Sequence, residues 1–150
     1  LRPFSALILT KPSYMGALFR FISENEFYLL DRRSAGELGN FDFWKRGGGN
    51  WTKIVTAKFD AQPKIWYRFR IAIKGDTFDG YAKAKGDNTQ FAKMKPFISG
   101  KDATYKEGKF ALYGLIYVDN VVIGESEGDL SIIAVEPGGK ATTTWGKLKN

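Results

Sequence analysis

Apolar and polar side chains alternate along most of this chain, and short runs of turn-forming residues interrupt the alternation throughout. A period of two is the signature of half-buried strands, and the helical period of 3.6 is nearly absent. The pattern predicts strands over Phe4 to Thr10, Tyr14 to Ile22, Phe27 to Arg32, Asn40 to Arg46, Thr52 to Phe59, Trp66 to Lys74, Thr77 to Lys85, Lys109 to Tyr117 and Asn120 to Glu125. Between them lie Lys11-Pro12-Ser13, Gly36 to Gly39, Gly47-Gly48-Gly49-Asn50, Lys74-Gly75-Asp76 and Gly86-Asp87-Asn88, all rich in turn formers. About nine short strands punctuated in this way predict an all-β sandwich or barrel. The segment Thr89 to Met94 suits one helical turn, and Ser99 to Gly108 reads as a long surface loop.

Parity assigns faces, because successive strand side chains point to opposite sides. Tyr67, Phe69, Ile71 and Ile73 share one face of their strand, opposed by Trp66, Arg68, Arg70 and Ala72. Phe41 and Phe43 oppose Asp42, Trp44 and Arg46; Phe78, Ala82 and Ala84 oppose Asp79, Tyr81, Lys83 and Lys85. Ala17, Phe19 and Phe21 are expected on one side of their strand and Arg20 on the other. Several strands therefore carry a greasy side and a side mixing rings with charges. The expectation is one outward surface gathering Arg20, Tyr28, Trp44, Trp66, Arg68, Arg70 and Tyr81. Finding Trp44, Trp66 and Arg68 on opposite sides of the molecule would contradict it.

Composition narrows the chemistry. The 150 residues suit one domain, and 43% hydrophobic with 15% aromatic residues suits a folded core. Cys and His are both absent, which removes thiolate nucleophiles, imidazole bases and the usual zinc or copper ligands. No apolar run approaches the roughly 18 residues of a membrane-spanning helix. The net charge is +7, but the lysines are dispersed with no block of like charges. Nucleic acid is therefore disfavoured, and an acidic polysaccharide explains the surplus as simply.

Three hairpin-like segments carry a resemblance. Gly16-Ala17-Leu18-Phe19-Arg20-Phe21 followed by Asn25-Glu26-Phe27-Tyr28-Leu29-Leu30 is one. Trp66 to Phe78, with Gly75 at its turn, is the second. Gly108-Lys109-Phe110-Ala111-Leu112-Tyr113-Gly114 followed by Val118-Asp119-Asn120-Val121-Val122-Ile123 is the third. In order and spacing they resemble concanavalin A-like jelly rolls, including laminin G-like and 3-keto-disaccharide hydrolase domains. The resemblance implies two antiparallel sheets in a jelly-roll sandwich, one of them curved, with a face that often binds sugars. Two features depart from it. The extra opening strand segment rich in Trp and Gly is missing, and so is the Glu-x-Asp-x-x-Glu pattern of family 16 glycoside hydrolases.

Sugars present C–H patches that stack on rings and hydroxyls that pair with guanidinium forks. The seven residues of the expected surface suit a glycan on that ground; a solvated sheet whose ring and arginine pairs merely support cross-strand packing is the competing reading. Paired carboxylates for glycoside hydrolysis would have to come from Glu24 and Glu26, or from Glu125, Glu127 and Asp129, and both sets read more simply as solvated turn acids. A structural calcium would draw on loop oxygens from Asp76, Asp79 and Asp119, with Asp87 and Asn88 nearby. Gly47-Gly48-Gly49 lacks the Lys-Ser/Thr and the helix of a phosphate loop.

The expected organisation is a β-sandwich over residues 1–135 and a C-terminal tail, 136–150, docked through Trp145. The expected function is a noncatalytic, lectin-like module recognising an oligosaccharide or polysaccharide, with an anionic glycan as a sub-hypothesis. A 3-keto-disaccharide hydrolase-like enzyme and a protein-interaction module joined to other domains of a parent protein stay open as alternatives. Leu1 in place of Met points to a processed or excised chain, and the expected location is extracellular or in the cell envelope.

Overall fold

In the computed structural model, the described residues are 4–8, 15–32, 40–59, 65–114 and 121–124. Their strands are β1 (Phe4–Ile8), β2 (Met15–Ser23), β3 (Glu26–Arg32), β4 (Asn40–Gly47), β5 (Asn50–Lys58), β6 (Tyr67–Lys74), β7 (Thr77–Ala84), β8 (Ile98–Lys101), β9 (Lys109–Gly114) and β10 (Val122–Ile123). A first sheet has the order β10-β1-β6-β7-β8 and a second the order β5-β4-β3-β2-β9, five strands each. All pairings are antiparallel. The architecture is the antiparallel two-sheet jelly-roll sandwich that the alternation and the hairpin motifs lead one to expect.

Parity also places the core. Tyr67, Phe69, Ile71, Phe78 and Ala82 of the first sheet pack against Phe19, Tyr28, Leu30, Phe41 and Phe43 of the second in one buried cluster. Phe78 sits at its centre, with ring centroids 5.0 Å from Phe19, 4.7 Å from Tyr28 and 6.0 Å from Phe43. A second ring group, Phe41, Phe59, Phe69 and Phe97, fills the other end. Each such side chain contributes about 1.5–3 kcal/mol of transfer free energy, so these rings dominate the stabilisation.

Turn chemistry sets the hairpins. Gly48 and Gly49 both have positive φ, +57° and +82°, and close β4 onto β5 with Gly47 opposite Asn50. That conformation suits the two-residue hairpin turn whose twist matches the strands, and glycine reaches it without strain.

Three local expectations meet the structure here, and two need correction. Ile98–Lys101 is a strand on the edge of the first sheet, paired with β7, in place of a loop beginning at Ser99. Its alternation spans four residues and includes a glycine, too little for a sequence pattern to register. The helical turn expected within Thr89 to Met94 is present as a 3₁₀ turn at Phe91–Lys93.

The second correction is in β2. Its pairing with both neighbours shifts register after Phe19 and Leu18, and Arg20 has φ of +50°. This bulge turns Phe21 to the outer side, where it stacks on Phe27 at 5.7 Å, instead of following Ala17 and Phe19 inward. Gly108 permits it: a Cβ there would collide with the Arg20 backbone. The tail with Trp145, Asp119 and the acids from Glu125 to Asp129 lie outside the described residues.

Candidate functional site

Cross-strand register builds a platform on the outer face of the second sheet. Trp51, Arg46 and Phe27 form one row across β5, β4 and β3; Lys53, Trp44, Leu29, Leu18 and Ala111 form the next; Thr56, Asp42, Asp31, Gly16 and Tyr113 form the third. A bulge at Ile54 puts Lys53 opposite Trp44. Leu18, Phe27 and Leu29 are buried and support the partly buried Phe21, Trp44 and Ala111, a small apolar cluster separate from the main core.

On that base the rings and charges interlock. Trp51 is 45% exposed, edge-on to Phe27 at 5.5 Å and to Trp44 at 6.2 Å. The Arg46 guanidinium lies 5.0 Å from the Trp51 ring centre and the Lys53 ammonium 5.0 Å from that of Trp44. Arg46 Nη2 also donates to Asn25 Oδ1 at 3.4 Å. Asp42, nearly fully buried, accepts from the Thr56 hydroxyl and pairs with Lys53 at 3.5 Å. The platform thus offers an exposed indole beside cationic donors, one of them anchored by a buried carboxylate. That is the inventory needed to hold a sugar ring by its C–H face and its hydroxyls.

The seven expected site residues do not share this surface; the structure divides them three ways. Trp44 is on the platform. Arg68, Arg70 and Tyr81 project from the outer face of the first sheet, on the far side of the sandwich, and Trp66 precedes β6 with the same parity. There Arg70 is buried, its guanidinium 5.8 Å from the Tyr81 ring and 5.9 Å from Phe91 of the 3₁₀ turn. Arg20 and Tyr28 belong to one end of the sandwich interior. The expectation of a single shared surface is overturned, because parity orders residues within a strand but not which sheet the strand joins.

Arg20 and Tyr28 instead help to lock the segment after β8. Tyr28, with 0% exposure, donates its hydroxyl proton to Asp102 Oδ1 at 2.5 Å and accepts from the Tyr105 backbone N–H at 3.0 Å. Lys45 Nζ donates to Asp102 Oδ2 at 2.8 Å and to Thr104 Oγ1 at 3.0 Å. Arg20 donates to the Tyr105 carbonyl at 2.7 Å and to the Gly75 carbonyl at 2.5 Å. Its fork therefore engages backbone carbonyls in the connections of both sheets, and it is not an outward ligand residue. Burial, reinforced by the bond to Asp102, pushes the Tyr28 hydroxyl up to about 12.

Burial alone would raise the Asp102 carboxyl, but bonds from Lys45, Thr104 and Tyr28 together outweigh it and hold the group well below the usual carboxylate range. A depressed carboxyl adds stability above its unfolded value, near 4, and loses it as pH falls toward the folded one. Asp102→Asn is therefore expected to cost about 1–3 kcal/mol at pH 7, with solvent screening favouring the lower end. The difference from wild type should shrink progressively below about pH 4, which thermal melts across pH will report. A constant difference down to pH 2 would contradict the lock.

Of the acids considered for calcium, Asp76 and Asp79 are engaged elsewhere. Asp76 Oδ1 pairs with Lys106 at 2.5 Å, and Asp79 Oδ1 accepts from the Ser99 hydroxyl at 2.6 Å. Among the described residues no group of three or more acidic, His or Cys side chains is gathered to hold a metal ion. No helix among them is long and apolar enough to cross a membrane.

No family model matches the sequence, and no curated protein matches it. Solved structures do match in shape. The fold is a known one. The carbohydrate-binding module CBM66 from Bacillus subtilis superposes with a TM-score of 0.65 at 18% identity, over 81% of this chain and 73% of that one. Sheep galectin-11, in complex with glycerol, gives 0.59 at 10% identity over 81% and 88%. Caenorhabditis elegans galectin LEC-6 gives 0.53 at 12% identity over 79% and 81%. At such identities the likeness concerns the fold.

Within this sandwich, the platform residues that sequence reading misses are Trp51, Arg46, Phe27 and Lys53. An expected strand start at Thr52 leaves Trp51 at the rim of a glycine loop. The signal is nonetheless present: a two-residue Gly48-Gly49 turn requires Arg46 opposite Trp51.

Proposed function

We propose that this chain is a noncatalytic carbohydrate-binding module whose ligand lies on the outer face of the second sheet. One observation carries the reading: Trp51 stands half-exposed on a sheet face, propped by Phe27 and Trp44 and flanked by Arg46 and by Lys53, which Asp42 anchors. A sugar ring stacks on the indole, Arg46 and Lys53 donate to its hydroxyl oxygens, and buried Asp42 holds Lys53 in place. The fold neighbours, a carbohydrate-binding module and two galectins, support a saccharide as the ligand class. The motifs of the three hairpins support kinship with laminin G-like or 3-keto-disaccharide hydrolase-like domains within the jelly rolls, and such a module suits an extracellular or envelope setting.

A glycan array followed by calorimetry, with and without calcium, tests this. Saturable binding of at least one oligosaccharide, with amide shifts concentrated on β4 and β5, is the expected result. Absence of binding across the array, or shifts confined to other faces, would refute it.

A second reading has its own support. Leu112 and Tyr113 on the edge strand β9 are exposed, as is Ile22, and a protein-interaction surface would use them. Concentration-dependent association that survives Trp51→Ala and is lost on Tyr113→Ser would favour that reading over sugar binding.

A further inference from the structure

The outer face of the first sheet, opposite the proposed sugar platform, has a charge arrangement that packing alone disfavours. Register puts Arg68 directly across from Lys83, two cations on adjacent strands where a carboxylate would be stabilising. Lys83 is buried: its ammonium lies 4.7 Å from the Phe91 ring centre and donates to the Thr89 carbonyl. Arg70 is buried beside it against Tyr81 and Phe91. Arg68 is exposed and makes no hydrogen bond or ion pair with a described residue.

Alternation extends the pattern. Lys85 continues the Lys83 side past the end of β7, and at the other end Lys74 and Lys101 flank Thr77 in one row. All three lysines are exposed, and none forms an ion pair with a described residue. The acids nearby are Asp76, which pairs with Lys106 and also feels Lys101, Asp79, which accepts from Ser99, and Asp87, which accepts from the Thr89 backbone N–H. The protein's +7 surplus is thus expressed strongly here.

We infer that this face is a second binding surface, for an acidic polysaccharide. Its chemistry is carboxylate or sulfate groups spaced along a chain. Arg68 and Lys74 stand six residues apart on β6, about 20 Å at strand rise, so a polymer engages both ends and a single small anion does not. A nucleic acid would need a run of open ring faces for its bases; here Tyr81 and Phe91 are covered by Arg70 and Lys83, which leaves the partly buried Trp66 alone among the rings of this face. An anionic membrane is disfavoured because the exposed side chains of β6, β7 and β8 are Arg68, Lys74, Ser99 and Lys101, none of them apolar. Like-charge crowding on the free protein is relieved when the polyanion arrives, and attraction between opposite fields speeds its capture.

The test uses the chain as it stands on immobilised polygalacturonate, dextran sulfate and neutral dextran. Retention on one or both acidic polymers, release by salt, and passage through neutral dextran are expected. Polygalacturonate against dextran sulfate separates carboxylate from sulfate preference. The triple variant Arg68→Ala, Lys85→Ala, Lys101→Ala removes only exposed side chains and should bind on the order of tenfold more weakly. Lys58→Glu with Lys109→Ala, the same loss of three charges elsewhere, should bind like wild type, and so should Trp51→Ala. Equal loss in both multiple variants reduces the effect to net charge and overturns the proposal. Tighter binding to single-stranded DNA or to phosphatidylserine vesicles at matched salt overturns it too. The platform on the second sheet stands or falls independently.

Discussion

Trp51→Ala should weaken oligosaccharide binding roughly thirtyfold while leaving the fold intact. The magnitude follows from what an anchoring indole supplies: about 2 kcal/mol when a stacked aromatic is truncated at the centre of a contact. The fold should tolerate the change because nearly half of the side chain already faces water and its contacts are edge-on to Phe27 and Trp44. Calorimetry should therefore report a higher Kd alongside a melting temperature within a few degrees of wild type. Trp51→Phe keeps a ring and should recover part of the affinity, whereas Arg46→Ala should lose a smaller share through its donors and its cation–π contact. Unchanged affinity in Trp51→Ala would remove the platform from consideration.

Phe78→Ala should unfold the sandwich most readily, costing about 3–5 kcal/mol. Its ring has 0% exposure and bridges the two sheets, touching Phe19, Tyr28 and Phe43 across the interface, with the Arg20 guanidinium 5.4 Å from its centre. Truncation leaves a cavity among rigid rings that cannot collapse to fill it. Because Arg20 also ties the Gly75 and Tyr105 carbonyls, the loss should spread to the lock around Asp102. Denaturant melts should show a lower midpoint with a similar slope, and Phe78→Leu should recover a large part of the deficit. A cost under about 1 kcal/mol would mean that the inter-sheet ring cluster is not what holds the sheets together.

Much of the architecture is legible in the chain. The strands β2 to β7 fall close to their expected bounds, and the inward set Phe41, Phe43, Tyr67, Phe69, Ile71 and Phe78 is the alternating apolar set. The site is legible only in part. Trp44 stands out because it lies between Phe43 and Lys45 in a clean alternation; Trp51 is hidden because a triple glycine blurs the start of its strand. Tyr28 escapes parity because its strand, Phe27-Tyr28-Leu29-Leu30-Asp31, is apolar on both sides, and alternation cannot choose between two greasy faces. Arg20 misleads for another reason. An arginine amid apolar residues reads as outward, yet the bulge there swings its fork to the end of the sandwich.

By itself the order of residues determined most of the strands, the hairpin turns and, away from the β2 bulge, which side chains travel together on one strand. The cause is local: a period of two and glycine's freedom at positive φ need no distant partner. Tertiary structure alone decided that Trp44 and Arg68 lie on opposite sides of the molecule, that Phe21 leaves the core, and that Ile98–Lys101 is a strand. Those outcomes depend on which strands meet, and pairing is set by how two sheets bury their rings against each other over long stretches of chain.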